Sequence, residues 1–321
     1  MPGRVPRTIT GMSTAGVDSV IAAQRQWSVA AEKAKQRIRR GRQATLGLGV
    51  TGTLLVTAAA QVDGGVGRVL AGLAAAALAS APIVAGFFAG PNHIRTWTQL
   101  RSVAEALKAE IYTCLAGVAP YHGPPDERDR CLLDRGEAIQ QAADILPPAA
   151  LVSGSSPSWR WPEIDSLDSY VTHRVDDQID YYESQAAVAE RRTAQFQGAG
   201  LVASLAATVL GALEAATGGA AVTAWAPAIT MVGASVGSYA AASRYEDDAR
   251  AYKQTARRLR FLRDRWRLPA PAGTFAAERA QRDAAFVTDC EDAIAVENQA
   301  WTARWNADTP APLAGPAEQP A

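Results

Sequence analysis

Cysteine, methionine and histidine are scarce, three of each in 321 residues, and their scarcity removes whole classes of chemistry. Cys114, Cys131 and Cys290 have neither the number nor the spacing of a disulfide framework or a thiolate metal site, and they read as reduced thiols. His93, His122 and His173 stand far apart with no i, i+4 partner, so neither a metal ion nor a histidine general base is expected. No GxxxxGK[ST], GxSxG or HExxH occurs, which leaves no catalytic residue and no cofactor to expect. An excess of one charge is also missing: 32 Lys and Arg balance 32 Asp and Glu. The N-terminal MPGRVPRTITGMSTAG lacks the apolar core of a cleaved signal peptide, so residues 1–18 read as a disordered tail.

The balanced average conceals segregation along the chain. Four charge-poor runs stand out: Ala44 to Val62, Val69 to Gly90, Phe196 to Leu213 (carried past Glu214 to Thr217), and Ala220 to Ser243. Each offers roughly the 18 to 24 residues that cross a hydrocarbon core of about 30 Å as a helix. Basic residues lie outside the pairs, at Lys33, Lys35, Arg37, Arg39, Arg40 and Arg42, at Arg95 and Arg101, at Arg191 and Arg192, and from Arg244 to Arg267; the short turns hold only Arg68. The positive-inside rule then places both termini and the central linker in the cytoplasm, with the turns QVDGGVGR and EAATGG outside. The expected fold class is an all-α membrane protein in the cytoplasmic membrane, two tandem helical hairpin units whose four transmembrane helices continue into a cytoplasmic helical bundle.

Apolar stripes in steps of three and four support that bundle. Trp97, Leu100, Ala104, Leu107, Ile111, Cys114 and Val118 form one; Tyr245, Ala249, Tyr252, Ala256, Leu259 and Trp266 form another, interrupted by Arg263; Val20, Trp27, Ala31, Ala34 and Ile38 form a third around Gln24; Phe286, Cys290, Ile294, Glu297, Trp301 and Trp305 supply a fourth. Stripes of this kind demand helical partners, as in coiled coils. Aligning Trp27 with Tyr182 brings the two halves into register as a parallel repeat. The expected organisation is a first unit over 19–122, a linker with a short helix over 123–168, a second unit over 169–306 and a Pro-rich disordered tail over 307–321.

Within the runs, small residues outnumber Leu and Ile, and small-xxx-small spacings recur at Gly72 with Ala76, Gly86 with Gly90, Ala199 with Ala203 and Gly233 with Gly237. In lipid, small residues let helix backbones approach closely. The spacing fits packing within one hairpin and fits assembly of several chains, a homo-oligomer around a pore. Asp63 and Glu214 follow the first run of each half and are candidates for an outer mouth, where a ring of acids concentrates cations. The alternative for them is ordinary interfacial solvation. The basic stretch Arg244 to Arg267, diluted by Glu246, Asp247, Asp248 and Asp264, is better explained by topology and anionic lipid headgroups than by nucleotide contact or nucleic acid. The bilayer is thus an expected partner; nucleic acid is not.

Two stretches resemble a known family. RTWTQLRSVAEALKAEIYTCLAGVAPY, with Trp97, Arg101, Glu105 and Lys108, is similar to the W-x3-R-x2-AE-x-LK element of the SLATT superfamily, two-transmembrane effector domains that include DUF4231 proteins. YVTHRVDDQIDYY, with Tyr170, Arg174, Gln178, Tyr181 and Tyr182, is similar to the opening of another SLATT subgroup, and ENQAWTARW, with Glu297, Trp301 and Trp305, to its closing helix. The resemblance covers roughly residues 20 to 306. It implies a membrane effector of bacterial conflict or defence systems that opens a pore when a cytoplasmic nucleotide signal or sensor protein acts on it, and it carries no catalytic residues. The chain departs from the simplest plan by fusing two units without a recognisable sensor domain. A membrane-anchored helical scaffold that recruits a cytoplasmic partner is the alternative, and a solute transporter is disfavoured because no run carries a charge at its centre.

Overall fold

The structure is a computed structural model that describes residues 14–121, 123–143, 145, 161–217, 225–269 and 275–307. Among them there is no strand. The helices are α1 (Thr14–Ala59), α2 (Gly65–Ala89), α3 (Pro91–Ala116), α4 (Pro125–Gln141), α5 (Leu167–Tyr170), a π turn (Val171–Asp176), α6 (Asp177–Thr217), α7 (Trp225–Ser243), α8 (Tyr245–Arg267) and α9 (Ala276–Ala307). They sort into two compact units. The first takes residues up to Lys33, Thr96–Glu183 and everything from Lys253 on; the second takes Ala34–Arg95 and Ser184–Tyr252.

The first unit is a helical bundle built on the expected stripes. Every member of the stripe from Trp97 to Val118 is buried, as are Val20, Trp27 and Ala31 of α1, Ala256 and Leu259 of α8, and Phe286, Cys290 and Ile294 of α9; Ile38, further along α1, is buried in the second unit. Local signals set the helix ends. Pro125 opens α4 with Asp126 and Glu127 in its first turn, where the missing proline N–H costs nothing and acids meet the positive end of the helix dipole. Ser166 and Ser169 form a reciprocal capping box at the start of α5. Gly117, at φ 66°, closes α3 in the left-handed conformation that glycine adopts freely. Polar clips join the helices: Trp27 Nε1 donates to Gln140 Oε1 at 3.1 Å, Arg135 grips Glu110 through two bonds of 2.6 and 2.9 Å, and Arg128 Nη2 donates to the Cys114 carbonyl at 2.7 Å.

The second unit holds two helical hairpins. On α1, a Cβ at Gly52 would stand 2.6 Å from Leu78 Cγ, and one at Gly41 would run into Phe88 Cβ, so both glycines are where α2 packs closest. The Arg37 guanidinium lies 5.7 and 5.5 Å from the Phe87 and Phe88 ring centres. In the other hairpin Gly233 faces Ala203, whose Cβ would be 3.2 Å from an added one, and Phe196 stacks on Tyr245 at 5.8 Å. Arg244, between α7 and α8, has φ 50°.

Four transmembrane helices were expected, and the structure supports two. Helices carrying α2 and α6 are long and apolar enough to cross a membrane, at mean hydropathy 2.0 and 1.6, with only 6 % and 0 % of those apolar stretches buried. The first run stops short because α1 ends at Ala59, and both it and α7 are diluted by hydroxyl residues. Five of those hydroxyls bond within their own helices, among them Thr53 donating to the Gly49 carbonyl at 2.9 Å and Ser235 to that of Met231 at 2.8 Å. Another difference lies at the N-terminus, where α1 begins at Thr14, inside the expected 1–18 tail, because Val17 and Val20 already have a core to enter. The expected linker holds α4 as its short helix; residues 308–321 of the expected tail lie outside the described residues.

Candidate functional site

Polar chemistry in the first unit concentrates on one buried ion pair. Arg174 sits within the π turn with its side chain 1 % exposed, and Glu291 of α9 meets it with 7 % exposed. Two parallel bonds join them, Arg174 Nε to Glu291 Oε1 at 2.9 Å and Nη2 to Oε2 at 2.6 Å. Such a fork is the strongest geometry open to an arginine and a carboxylate. Tyr170 adds its hydroxyl to Glu291 Oε1 at 2.9 Å, and the guanidinium carbon lies 4.3 Å from the Tyr112 ring centre. Arg174 Nη1 has no hydrogen-bond partner among the described residues.

Charge states follow from this crowding. Burial alone would draw Arg174 toward its neutral form, but the Glu291 charge and hydrogen bonds outweigh it and raise its pKa. Burial pushes Tyr170 well up, reinforced by the Glu291 charge, and pushes Tyr112 up against the opposing pull of Arg174. Lys108, on α3, is drawn below the ordinary lysine range by burial while Glu105 pulls it back. Cys290, next to Glu291, is held up by burial and by that carboxylate. The arrangement can hold charges in place; it offers no activated nucleophile.

The two motif stretches therefore meet. Glu105 and Lys108 come from one half, Tyr170 and Arg174 from the other, and all four act on a single electrostatic site. Trp97 and Tyr182 are buried in the same unit, Arg101 is engaged in an interaction of its own, Gln178 is half-buried, and Tyr181 lies exposed with its ring 5.5 Å from Tyr182. Glu297, Trp301 and Trp305 are on α9, with side chains outside the described residues. Asp63 is exposed in the turn between α1 and α2, and Glu214 is near the end of α6 with its side chain outside the described residues. Of the small residues, Gly72, Gly86 and Gly237 face open space, Gly90 lies against the Gly86 carbonyl of its own helix, Ala76 is exposed, and Gly233 packs inside its hairpin. All three cysteines are free thiols, and no group among the described residues could hold a metal ion.

Sequence reasoning missed Glu291 and Tyr112. Glu291 had a legible signal, an acid beside Cys290 on the apolar stripe of α9; nothing told which cation it would meet. The same is true of Asp129, buried on α4 with both carboxylate oxygens unpartnered among the described residues, whose pKa burial raises.

The comparisons with known families fall on the two halves in turn. Residues 25–129 match the family described as a protein of unknown function, DUF4231, and residues 170–301 match that described as the SMODS and SLOG-associating 2TM effector domain 1. The chain is a tandem of two SLATT-type units. No curated protein and no solved structure matches it. In SLATT terms, the buried pair lies wholly within the second matched region, since Arg174 and Glu291 both fall in 170–301, while Tyr112 and Lys108 come from the first.

Proposed function

We propose that this tandem SLATT protein is a membrane effector that assembles from several copies and opens a pore in the cytoplasmic membrane when its helical bundle receives a cytoplasmic signal. The observation that carries the reading is the bare state of the second unit's apolar helices: Leu73, Ile83, Leu201 and Val209 are all more than half exposed, and surface of that kind needs lipid or protein to cover it. The description of the matched family as a 2TM effector points the same way. In this reading α1 and α7 span beside α2 and α6, since Thr45, Thr53, Thr57, Thr230 and Ser235 bond to carbonyls four residues earlier and so carry their donors paired into hydrocarbon. The charge placement puts both termini inside. Glycines that face open space on the hairpins, Gly47, Gly49, Gly72, Gly86, Gly198, Gly200, Gly211 and Gly237, are surfaces for neighbouring copies, because a helix gains nothing from presenting glycine to lipid. The family's association in name with SMODS and SLOG makes a cytoplasmic nucleotide signal or sensor protein the proposed trigger.

The test is the purified full-length chain in sealed lipid vesicles, read as release of a trapped ion-sensitive dye and as single-channel current. Conductance with a cation preference that moves toward anions on changing Asp63 and Glu214 to Lys supports a pore with acids at its mouth. Insertion without conductance under any cytosolic extract would leave the bundle as an anchored scaffold.

A further inference from the structure

The helix that carries the second apolar segment starts irregularly. Between Tyr170 and Asp177 six residues wind as a π turn, a form that holds one residue too many, is rare, and marks functional positions inside helices more often than chance would allow. Val171, Arg174 and Val175 are all buried there. Arg174 lies in its middle, forked onto Glu291 of another helix while Nη1 finds no partner among the described residues. Beyond the turn, α6 runs unbroken to Thr217 without a proline. A residue's worth of register absorbed or released at the turn therefore has no intervening break in which to dissipate.

We propose that the π turn is a register switch, held by the Arg174–Glu291 pair, whose relaxation to α geometry rotates α6 about its own axis. One residue of an α-helix corresponds to about 100° and 1.5 Å. Winding more tightly moves each later residue to the angular place of the one that follows it. At the foot of the apolar segment, Ala186 and Ala189 are now buried while Ala187 and Val188 are exposed. After the switch Ala186 takes the exposed place of Ala187, and Val188 the buried place of Ala189. The apolar segment Phe196 to Leu213 turns with them. The consequence for a pore rests on the function proposed above; the switch does not.

The experiment uses full-length chains whose three native cysteines are changed to Ala, each with one new cysteine, Ala186→Cys, Val188→Cys or Ala189→Cys, labelled with a maleimide in membranes. With Glu291 intact, only Val188→Cys should label. Adding Glu291→Gln, or the stronger Glu291→Ala, should protect Val188→Cys and expose the other two. Deleting Thr172, an exposed residue of the turn, removes the stored residue and should abolish the shift in both backgrounds. A Val188→Cys that stays reactive when Glu291 is changed overturns the proposal, and labelling of all three positions does so as well, because that is loosening and not rotation. Vesicle conductance of the same proteins separates the two ideas. Rotation without conductance sinks the pore and keeps the switch; conductance without rotation does the reverse.

Discussion

Arg174 occupies a site that uses two of its guanidinium nitrogens and leaves the third unpaired among the described residues, so the pair it forms is strong in geometry and incomplete in satisfaction. Removing one member of a buried pair costs more than the pair contributes, since the survivor keeps its charge without a partner. Arg174→Ala should therefore lower stability by about 3–5 kcal/mol, read from denaturant unfolding in detergent by tryptophan fluorescence. Arg174→Lys should rescue little, because a point charge cannot fork onto both Glu291 oxygens. Lys108 has the opposite sign. Its folded pKa lies below the ordinary 10.5, so below that pH the unfolded chain binds the proton more readily, and the residue subtracts stability that returns as the pH rises toward 10.5. Lys108→Met should raise the unfolding midpoint at pH 7, with the gain shrinking toward pH 10; an unchanged midpoint at pH 7 would mean the amine is well solvated. A lysine kept where it weakens the fold is a reason to look for its use, and it lies in the W-x3-R-x2-AE-x-LK stretch.

Helices in the second unit divide their glycines between two tasks. Gly41 and Gly52 admit α2, and Gly52→Leu should cost the hairpin on the order of 1–3 kcal/mol through overpacking, seen as lost membrane insertion or yield. Gly237→Leu meets nothing within 4 Å, so the chain should insert normally while crosslinked oligomers disappear; persistence of those oligomers would assign the open face to lipid. The small-xxx-small spacing was legible, yet it paired Gly233 with Gly237 as if they shared a surface, whereas one packs on Ala203 and the other on nothing. Spacing tells that two residues lie one turn apart, and not which neighbour will come. The apolar stripes read better, because a buried face repeats over several turns: Trp97 through Val118 entered the core without exception. The π turn left no trace in the sequence, since the carboxylate that Arg174 meets in it, Glu291, lies 117 positions downstream.

At the scale of the molecule, charge segregation made the two kinds of surface legible, while the spans proved harder to count because hydroxyl-rich helices sit near the threshold of hydropathy. Topology is open to a direct check: an impermeant thiol reagent outside intact cells should label Asp63→Cys and should not label a cysteine at exposed Arg95. Labelling at Arg95→Cys would reverse the orientation. The first unit draws on three stretches of chain, the last beginning at Lys253, and this has a consequence for manufacture. When Arg174 leaves the ribosome its partner has not been made, and at 5–20 residues per second the wait for Glu291 is on the order of ten seconds. The second apolar hairpin, whose last helix ends at Ser243, is finished within that interval and before Glu291 is made, so the proposed pore would have time to open unless the bundle is needed for opening and not only for restraint. A chain stopped after Arg267 isolates that nascent form. If it is harmless to the cell that makes it, α9 is the component that arms the protein, and the order of synthesis is itself the safety catch.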